Sequence, residues 1–376
     1  MAQIKDYVNW RGDIPFHVSP FNEVDNYIIA KIGVLDFTGI VPSDGTEVPL
    51  RMAMRQYIET YGDEGEYSGA FASKEIMHVM RRIPRTQRFG TLCISGFVSK
   101  KSDEEMEQFS ALTVRLPDGT HYVTFRGTDD SIVAWKENLL MSIENEIPAR
   151  KDALDYLKWA ASEYEGDLIV GGHSKGGNLA VYAAACAPEE IQDRISAVYS
   201  NDGPGFLKDF VESAGYLRIR PKLHVLLPQH SMIGTLLIQD SDYTVVKSPK
   251  GGAAGHDGMT WEVLPTRFAH CESLTRMSHS FDDSLDKVME KLSIDERKQL
   301  VNEMFDALAA TGAKTLSDFS ENRLKQAGIL LGSYRRSPES RHFVRLLMEL
   351  MLREITPDRI ERVVMKERNK RTKDQK

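Results

Sequence analysis

Gly172-His173-Ser174-Lys175-Gly176 reads G-x-S-x-G, between an apolar, strand-like run at Leu168-Ile169-Val170 and an alanine-rich, helix-like run from Asn178 to Cys186. A strand that turns straight into a helix aims the central side chain out of the turn, over a helix N-terminus. Side chains two residues to either side would collide, which accounts for the glycines. The chemistry predicted is nucleophilic attack by the Ser174 hydroxyl. A glycine-rich turn can also be a plain tight connection, so the strand-turn-helix setting is what favours catalysis. Two other glycine motifs do not fit. A phosphate-cradling loop needs Gly before Lys175 and Ser or Thr after it, whereas Ser174 precedes and Gly176 follows, and the chain contains no G-x-G-x-x-G.

A serine hydroxyl is a weak nucleophile at neutral pH, so it needs a histidine to take its proton and a third group to hold that ring in one tautomer. In a strand-turn-helix hydrolase the chain order is Ser, then acid, then His. Among the downstream histidines, His256 lies in a glycine-rich loop after the strand-like Tyr243 to Val246 and is the expected base. His230, which also follows a strand, is its rival, and His224 sits inside an apolar run and reads as structural. Asp202, in Ser200-Asn201-Asp202-Gly203-Pro204 directly after the strand Ile195 to Tyr199, is the expected acid. That stretch is also ordinary turn chemistry, with Asp240 and Asp242 as fallbacks, while Asp257 is badly placed to face the neighbouring ring. An oxyanion needs two donors: the backbone N–H of Lys175, and Thr128 in the loop after the strand ending at Phe125. Asp129 and Asp130 suit capping of the helix that carries Trp135.

Those residues need a scaffold of strand ends. A helix is expected over Phe21 to Val34, strands over Thr91 to Val98, Ser110 to Leu116 and His121 to Phe125, and a helix over Ala149 to Tyr164. Further strands are expected at Ile195 to Tyr199, Leu223 to Leu227, Tyr243 to Val246 and Thr260 to Leu264, and residues 42–90 read as loop-rich or lid-like. Alternating strands and helices predict an α/β fold, a mostly parallel sheet with flanking helices. From about residue 281 the texture turns helical, with a capping box at Ser293 to Glu296 and a long apolar helix over Glu339 to Glu354. The expected organisation is a hydrolase domain over 1–280 and a helical appendage over 281–376 with a polar, basic tail.

Composition narrows the partners. With 48 basic and 55 acidic residues and a net charge of −7, nothing in the whole-chain balance favours nucleic acid. The three cysteines, Cys93, Cys186 and Cys271, are far apart and odd in number, which suits a reducing compartment. The first residues lack the apolar stretch of a secretory signal, and no run reaches the ~18 apolar residues of a membrane span. The expected location is the cytoplasm, with peripheral membrane contact left open, and neither a cofactor nor a metal is expected.

Phe125-Arg126-Gly127-Thr128, Trp135 and Gly172 to Gly177 with Leu179-Ala180 resemble the class 3 lipase group of α/β-hydrolases. That resemblance implies attack on an ester by Ser174 and oxyanion binding at Thr128. More widely, Trp10-Arg11-Gly12-Asp13, Phe21 to Asp25, Asp202 to Phe206 and His256-Asp257 with Trp261 resemble an uncharacterised bacterial lipase-like family. Class 3 lipases place their acid after the strand corresponding to Leu223 to Leu227, where this chain reads Pro228-Gln229-His230-Ser231 without a carboxylate. The expected function is therefore a serine esterase acting on a small-molecule or lipid ester through an acyl-enzyme. The alternatives are a degenerate hydrolase serving as a scaffold, and an acyltransferase.

Overall fold

Strands β4 (His121–Phe125) and β5 (Leu168–His173) are buried along their whole length, as expected of strands covered on both faces. Their side chains alternate between two separate cores. Tyr122 and Ile169 enter one core together with Tyr27, Ile28 and Trp261, while Val123, Leu168 and Val170 enter the other with Leu157, Leu179 and Ala183. The computed structural model describes residues 1–62, 75–102, 107–128, 136–137, 140–141, 143–251, 253–275, 278, 294–295, 298 and 301–302.

The remaining strands are β1 (Val48–Pro49), β2 (Cys93–Ser102), β3 (Glu107–Arg115), β6 (Ile195–Asn201), β7 (Leu223–Pro228), β8 (Tyr243–Val246), β9 (Val263–Leu264), β10 (Arg267–Phe268) and β11 (His270–Cys271). The main sheet runs in the order β1-β2-β3-β4-β5-β6-β7-β8-β11. Pairing is parallel from β4 through β8 and antiparallel at both flanks. So β2 and β4 to β8 point one way, against β1, β3 and β11, giving an α/β fold with a mixed sheet of mostly parallel strands.

The helices of eight residues or more among the described residues are α1 (Ile4–Arg11), α2 (Glu23–Ile32), α3 (Leu50–Tyr61), α4 (Glu75–Arg82), α5 (Pro148–Glu163) and α6 (Lys175–Cys186). Asn22 caps α2 by accepting from the backbone N–H groups of Val24 and Asp25, satisfying donors that have no partner inside the helix. Helices α5 and α6 cover one face of the sheet and α2 the other. The loop-rich expectation for residues 42–90 is corrected over α3 and α4, while residues 63–74 lie outside the described residues. Leu50, Ala53, Met54 and Tyr57 of α3 are all buried, which is an i, i+3, i+4, i+7 stripe, and α4 buries Ile76, Met77, Val79 and Met80. The strand expected over Thr260 to Leu264 shrinks to Val263–Leu264, because Gly258–Thr260 forms a 3-10 turn capped by Asp257.

The expectations for the long helix at Glu339 to Glu354 and for the basic tail lie outside the described residues, as do Asp129, Asp130 and Trp135. Where the chain beyond residue 281 is described, Lys298 Nζ reaches Glu144 Oε1 at 2.7 Å and Val301 is buried. Among the described residues no helix is long and apolar enough to cross a membrane.

Candidate active site

Ser174 links β5 directly to α6 with φ 58° and ψ −131°, a region that a residue with a Cβ enters only at a cost of about 1–3 kcal/mol. Contacts on both sides enforce the turn. A Cβ on Gly172 would lie 2.3 Å from the Gly176 carbonyl carbon, and one on Gly176 would lie 2.1 Å from the Phe125 carbonyl oxygen. Ser174 N–H donates to the Asn201 carbonyl at 3.0 Å, so the turn is tied to the end of the next strand. Its neighbours His173 and Lys175 are buried, whereas Ser174 is partly exposed.

Phe125 is in register with Gly172, so the segment following β4 runs alongside the turn. A Cβ on Gly127 would meet the Ser174 Cβ at 3.3 Å, and Thr128 follows it, buried. Lys175 begins α6, where backbone N–H groups have no acceptor within the helix. The Lys175 side chain points inward: Nζ donates to Glu137 Oε2 at 2.6 Å and to the Gln108 carbonyl at 2.7 Å. Both charged side chains are only 1% exposed.

Past the end of β6, Asp202 takes a left-handed φ of 51°, which Asp tolerates better than most residues. Its carboxylate is wholly buried and accepts three hydrogen bonds. Oδ1 takes the Ser231 hydroxyl at 2.5 Å and the Gly234 N–H at 3.1 Å. Oδ2 faces His256 Nδ1 at 2.6 Å. A carboxylate there only accepts, so the Nδ1 of His256 carries the proton and Nε2 keeps its lone pair. That arrangement can take a proton from a hydroxyl.

His256 is itself buried and ends a short helical turn, Ala253–His256, where an irregular loop was expected. Its ring lies against His173, the residue before Ser174, with centroids 4.4 Å apart. Behind the site, Asn201 donates to the Gly172 carbonyl at 2.9 Å and accepts from Asn26, which accepts from the Tyr122 hydroxyl. The loop after Asp202 is fastened by Asn178, whose Nδ2 donates to the Pro204 and Gly205 carbonyls, both at 2.9 Å. Asn178 Oδ1 in turn accepts from Arg150. Arg150 is wholly buried with carbonyl acceptors and the Tyr182 and Phe206 rings around it, and that burial pushes its pKa down to about 10.

The structure thus brings Asp202 and His256 together and sets Thr128, Ser174 and Lys175 along the adjoining strand ends. The other candidates have other neighbours. His224 stacks on Tyr199 at 4.8 Å, Asp240 lies 3.6 Å from Arg220 on the surface, and Asp257 caps the Met259 N–H. His230 packs near Gly251. Sequence reasoning assigned no role to His173, Glu137, Ser231 or Asn178. Their partners are distant in the chain, so no local pattern marks them. Among the described residues no cluster of His, Cys, Asp and Glu could hold a metal ion.

Solved lipases resemble the chain at low similarity. A deletion mutant of the Rhizomucor miehei lipase propeptide complex matches with TM-score 0.30 and 19% identity over 42% of this chain and 56% of that one. The M37 lipase matches with TM-score 0.33 and 16% identity over 50% and 68%. Lipase II from Rhizopus niveus matches with TM-score 0.30 and 14% identity over 54% and 78%. The chain therefore spans 56% of the length of the first of these. No curated protein matches it. The Mbeg1-like family model covers residues 83–306, which include β2 to β11, the Ser174 turn and the Asp202–His256 pair. The protein belongs to the Mbeg1-like family, a lipase-like family.

Proposed function

We propose that the protein is a serine hydrolase that cleaves a carboxylic ester through an acyl-enzyme. The observation that carries this reading is the buried Asp202–His256 contact at 2.6 Å, beside a serine held at φ 58° on the neighbouring strand end. Nothing in the packing of a core requires a carboxylate with three donors, a histidine and a strained serine at the carboxyl ends of neighbouring strands. Acyl transfer requires all of them.

The Ser174 oxygen bonds to the ester carbonyl carbon as its proton passes to His256 Nε2. Asp202 stabilises the imidazolium and keeps it oriented. The carbonyl oxygen, now negative, is received by the Lys175 backbone N–H and by Thr128. Collapse of the adduct breaks the bond to the alcohol oxygen, which leaves with the proton held by His256. Water then attacks the acyl-enzyme by the same route, and the acid departs as the Ser174 hydroxyl is restored. No cofactor or metal enters this scheme. Acyl transfer to another acceptor would use the same groups and differ only in what replaces water.

The scaffold alternative drew on the missing carboxylate after β7. In its place, Ser231 and Gly234 of that loop donate to the Asp202 carboxylate, so the loop supports an acid contributed by the preceding strand. Fluorophosphonate labelling and turnover of short p-nitrophenyl esters test the proposal. Wild type should be labelled and Ser174→Ala should lose both signals; an unlabelled wild type would overturn it.

A further inference from the structure

His173 has no part in the scheme above, yet it is buried against the proposed base from two directions. Its Nε2 lies 2.8 Å from the His256 carbonyl oxygen, and its ring rests against the His256 ring at 4.4 Å. On its far side, Nδ1 lies 3.3 Å from Lys31 Nζ. A carbonyl oxygen only accepts, so Nε2 carries the hydrogen, and Nδ1 is then a lone pair facing an ammonium. A single neutral tautomer satisfies both contacts. The opposite tautomer satisfies neither, and an imidazolium would set two donors against each other.

The surroundings favour the neutral ring. Burial first, then the Lys31 charge and His256, push the His173 pKa well below the usual histidine range. Burial likewise lowers Lys31, and the nearby Asp257 carboxylate opposes that. Tyr27 closes the pocket edge-on at 5.5 Å from the His173 ring, and its hydroxyl accepts from the Gly258 N–H at 2.8 Å. The turn bearing His256 is thereby attached to α2 through both His173 and Tyr27.

We propose that His173 is a positioning residue for His256, with Lys31 selecting the tautomer in which His173 donates to the His256 backbone. Asp202 fixes Nδ1 of the His256 ring, the neutral His173 ring supports its face, and the Nε2–H···O=C bond holds its main chain. This role rests on the reading of Ser174 and His256 as nucleophile and base. An uncharged support also matters when His256 becomes cationic during attack, because a second imidazolium at van der Waals distance would oppose that charge.

The test compares His173→Phe, which keeps a ring but has no donor, with His173→Gln, whose amide nitrogen can reach the same carbonyl. With active sites counted by fluorophosphonate titration, H173F should lose about 10²-fold in kcat on p-nitrophenyl butyrate with little change in KM, and H173Q should recover most of it. If H173F does not fold, His173→Asn replaces it, since its amide falls short of the carbonyl. A second readout does not depend on turnover: the far-downfield proton NMR signal of the Asp202–His256 bond should persist in H173Q and broaden away in H173F. Equal kcat in wild type and H173F, equal losses in both variants, or an unaltered downfield signal would each overturn the inference. Failure of the underlying reading is distinct: the wild type itself would be neither labelled nor active.

Discussion

Replacing Asp202 by asparagine isolates the acid's role from its packing, because the amide has the same shape. In the native site Oδ1 accepts from two donors, the Ser231 hydroxyl and the Gly234 N–H, so the oxygen of the new amide must take that position. Its NH₂ then faces His256 Nδ1, 2.6 Å from the present oxygen. Two donors cannot share that contact, so the ring must shift its hydrogen to Nε2 and present a lone pair at Nδ1. In that tautomer His256 cannot accept the Ser174 proton. Loss of the correct tautomer is worth about 10⁴-fold in kcat, equivalent to about 5.4 kcal/mol of barrier. Every buried polar atom keeps a partner, so stability should change little. Asp202→Ala, by contrast, strands three donors and should cost several kcal/mol, at about 1–3 kcal/mol for each buried group left unpaired. The assay is kcat on p-nitrophenyl butyrate beside a urea melt for each variant. A D202N enzyme that keeps more than about a tenth of wild-type kcat, against the expected 10⁴-fold loss, would refute this account of the acid.

Removing one of the two donors on Asp202 Oδ1, as in Ser231→Ala, should lower kcat by about 10- to 100-fold, since one charge-assisted hydrogen bond is worth about 1.5–3 kcal/mol and Gly234 remains; a loss matching D202N would contradict that ranking. Because the folded pKa of His173 lies far below its unfolded value, the unfolded chain binds the extra proton, so its contribution to stability is lost as pH falls below about 6.5, by up to about 1.4 kcal/mol per pH unit. Urea melts between pH 7.5 and 5.5 should show this slope in wild type and a shallower one in His173→Gln. Lys175→Met leaves Glu137 as a buried, uncompensated charge and should destabilise by about 3–5 kcal/mol, whereas Lys175→Met with Glu137→Met should restore much of that; a double variant as unstable as the sum of the two single ones would count against the pair being a mutually compensating one. Gly176→Ala puts a methyl 2.1 Å from the Phe125 carbonyl oxygen and should abolish labelling even if far-UV circular dichroism shows a folded protein.

Much of the sheet was legible because its strands are apolar in every position or alternate cleanly. Tyr243–Val246 has the bounds expected of it, and β6 and β7 overrun theirs by a residue or two. The loop-rich expectation fails over α3 and α4 for a specific reason: the charged residues Arg51, Arg55 and Arg82 sit on the exposed sides of these helices. They obscured an apolar stripe that was present at helical spacing. Trp261 shows the reverse limit. Its burial against Tyr27 and Phe268, with Nε1 donating to the Gly255 carbonyl, depends on α2 crossing the sheet, which no local pattern encodes.

Local rules in the chain were enough to mark a strand running into a glycine-flanked serine and then a helix, since steric exclusion at Gly172 and Gly176 acts over only a few bonds. They were also enough to rank Asp202 above Asp240, because strand-end loops converge in such a sheet. The meeting of Asp202 with His256, 54 positions apart, was decided only by the parallel order of β6, β7 and β8. So was the substitution of Ser231 and Gly234 donors for a carboxylate after β7, and the placing of Lys31 behind His173. Each of these contacts joins residues whose separation along the chain says nothing about their distance, and only the closing of two cores around the sheet sets it.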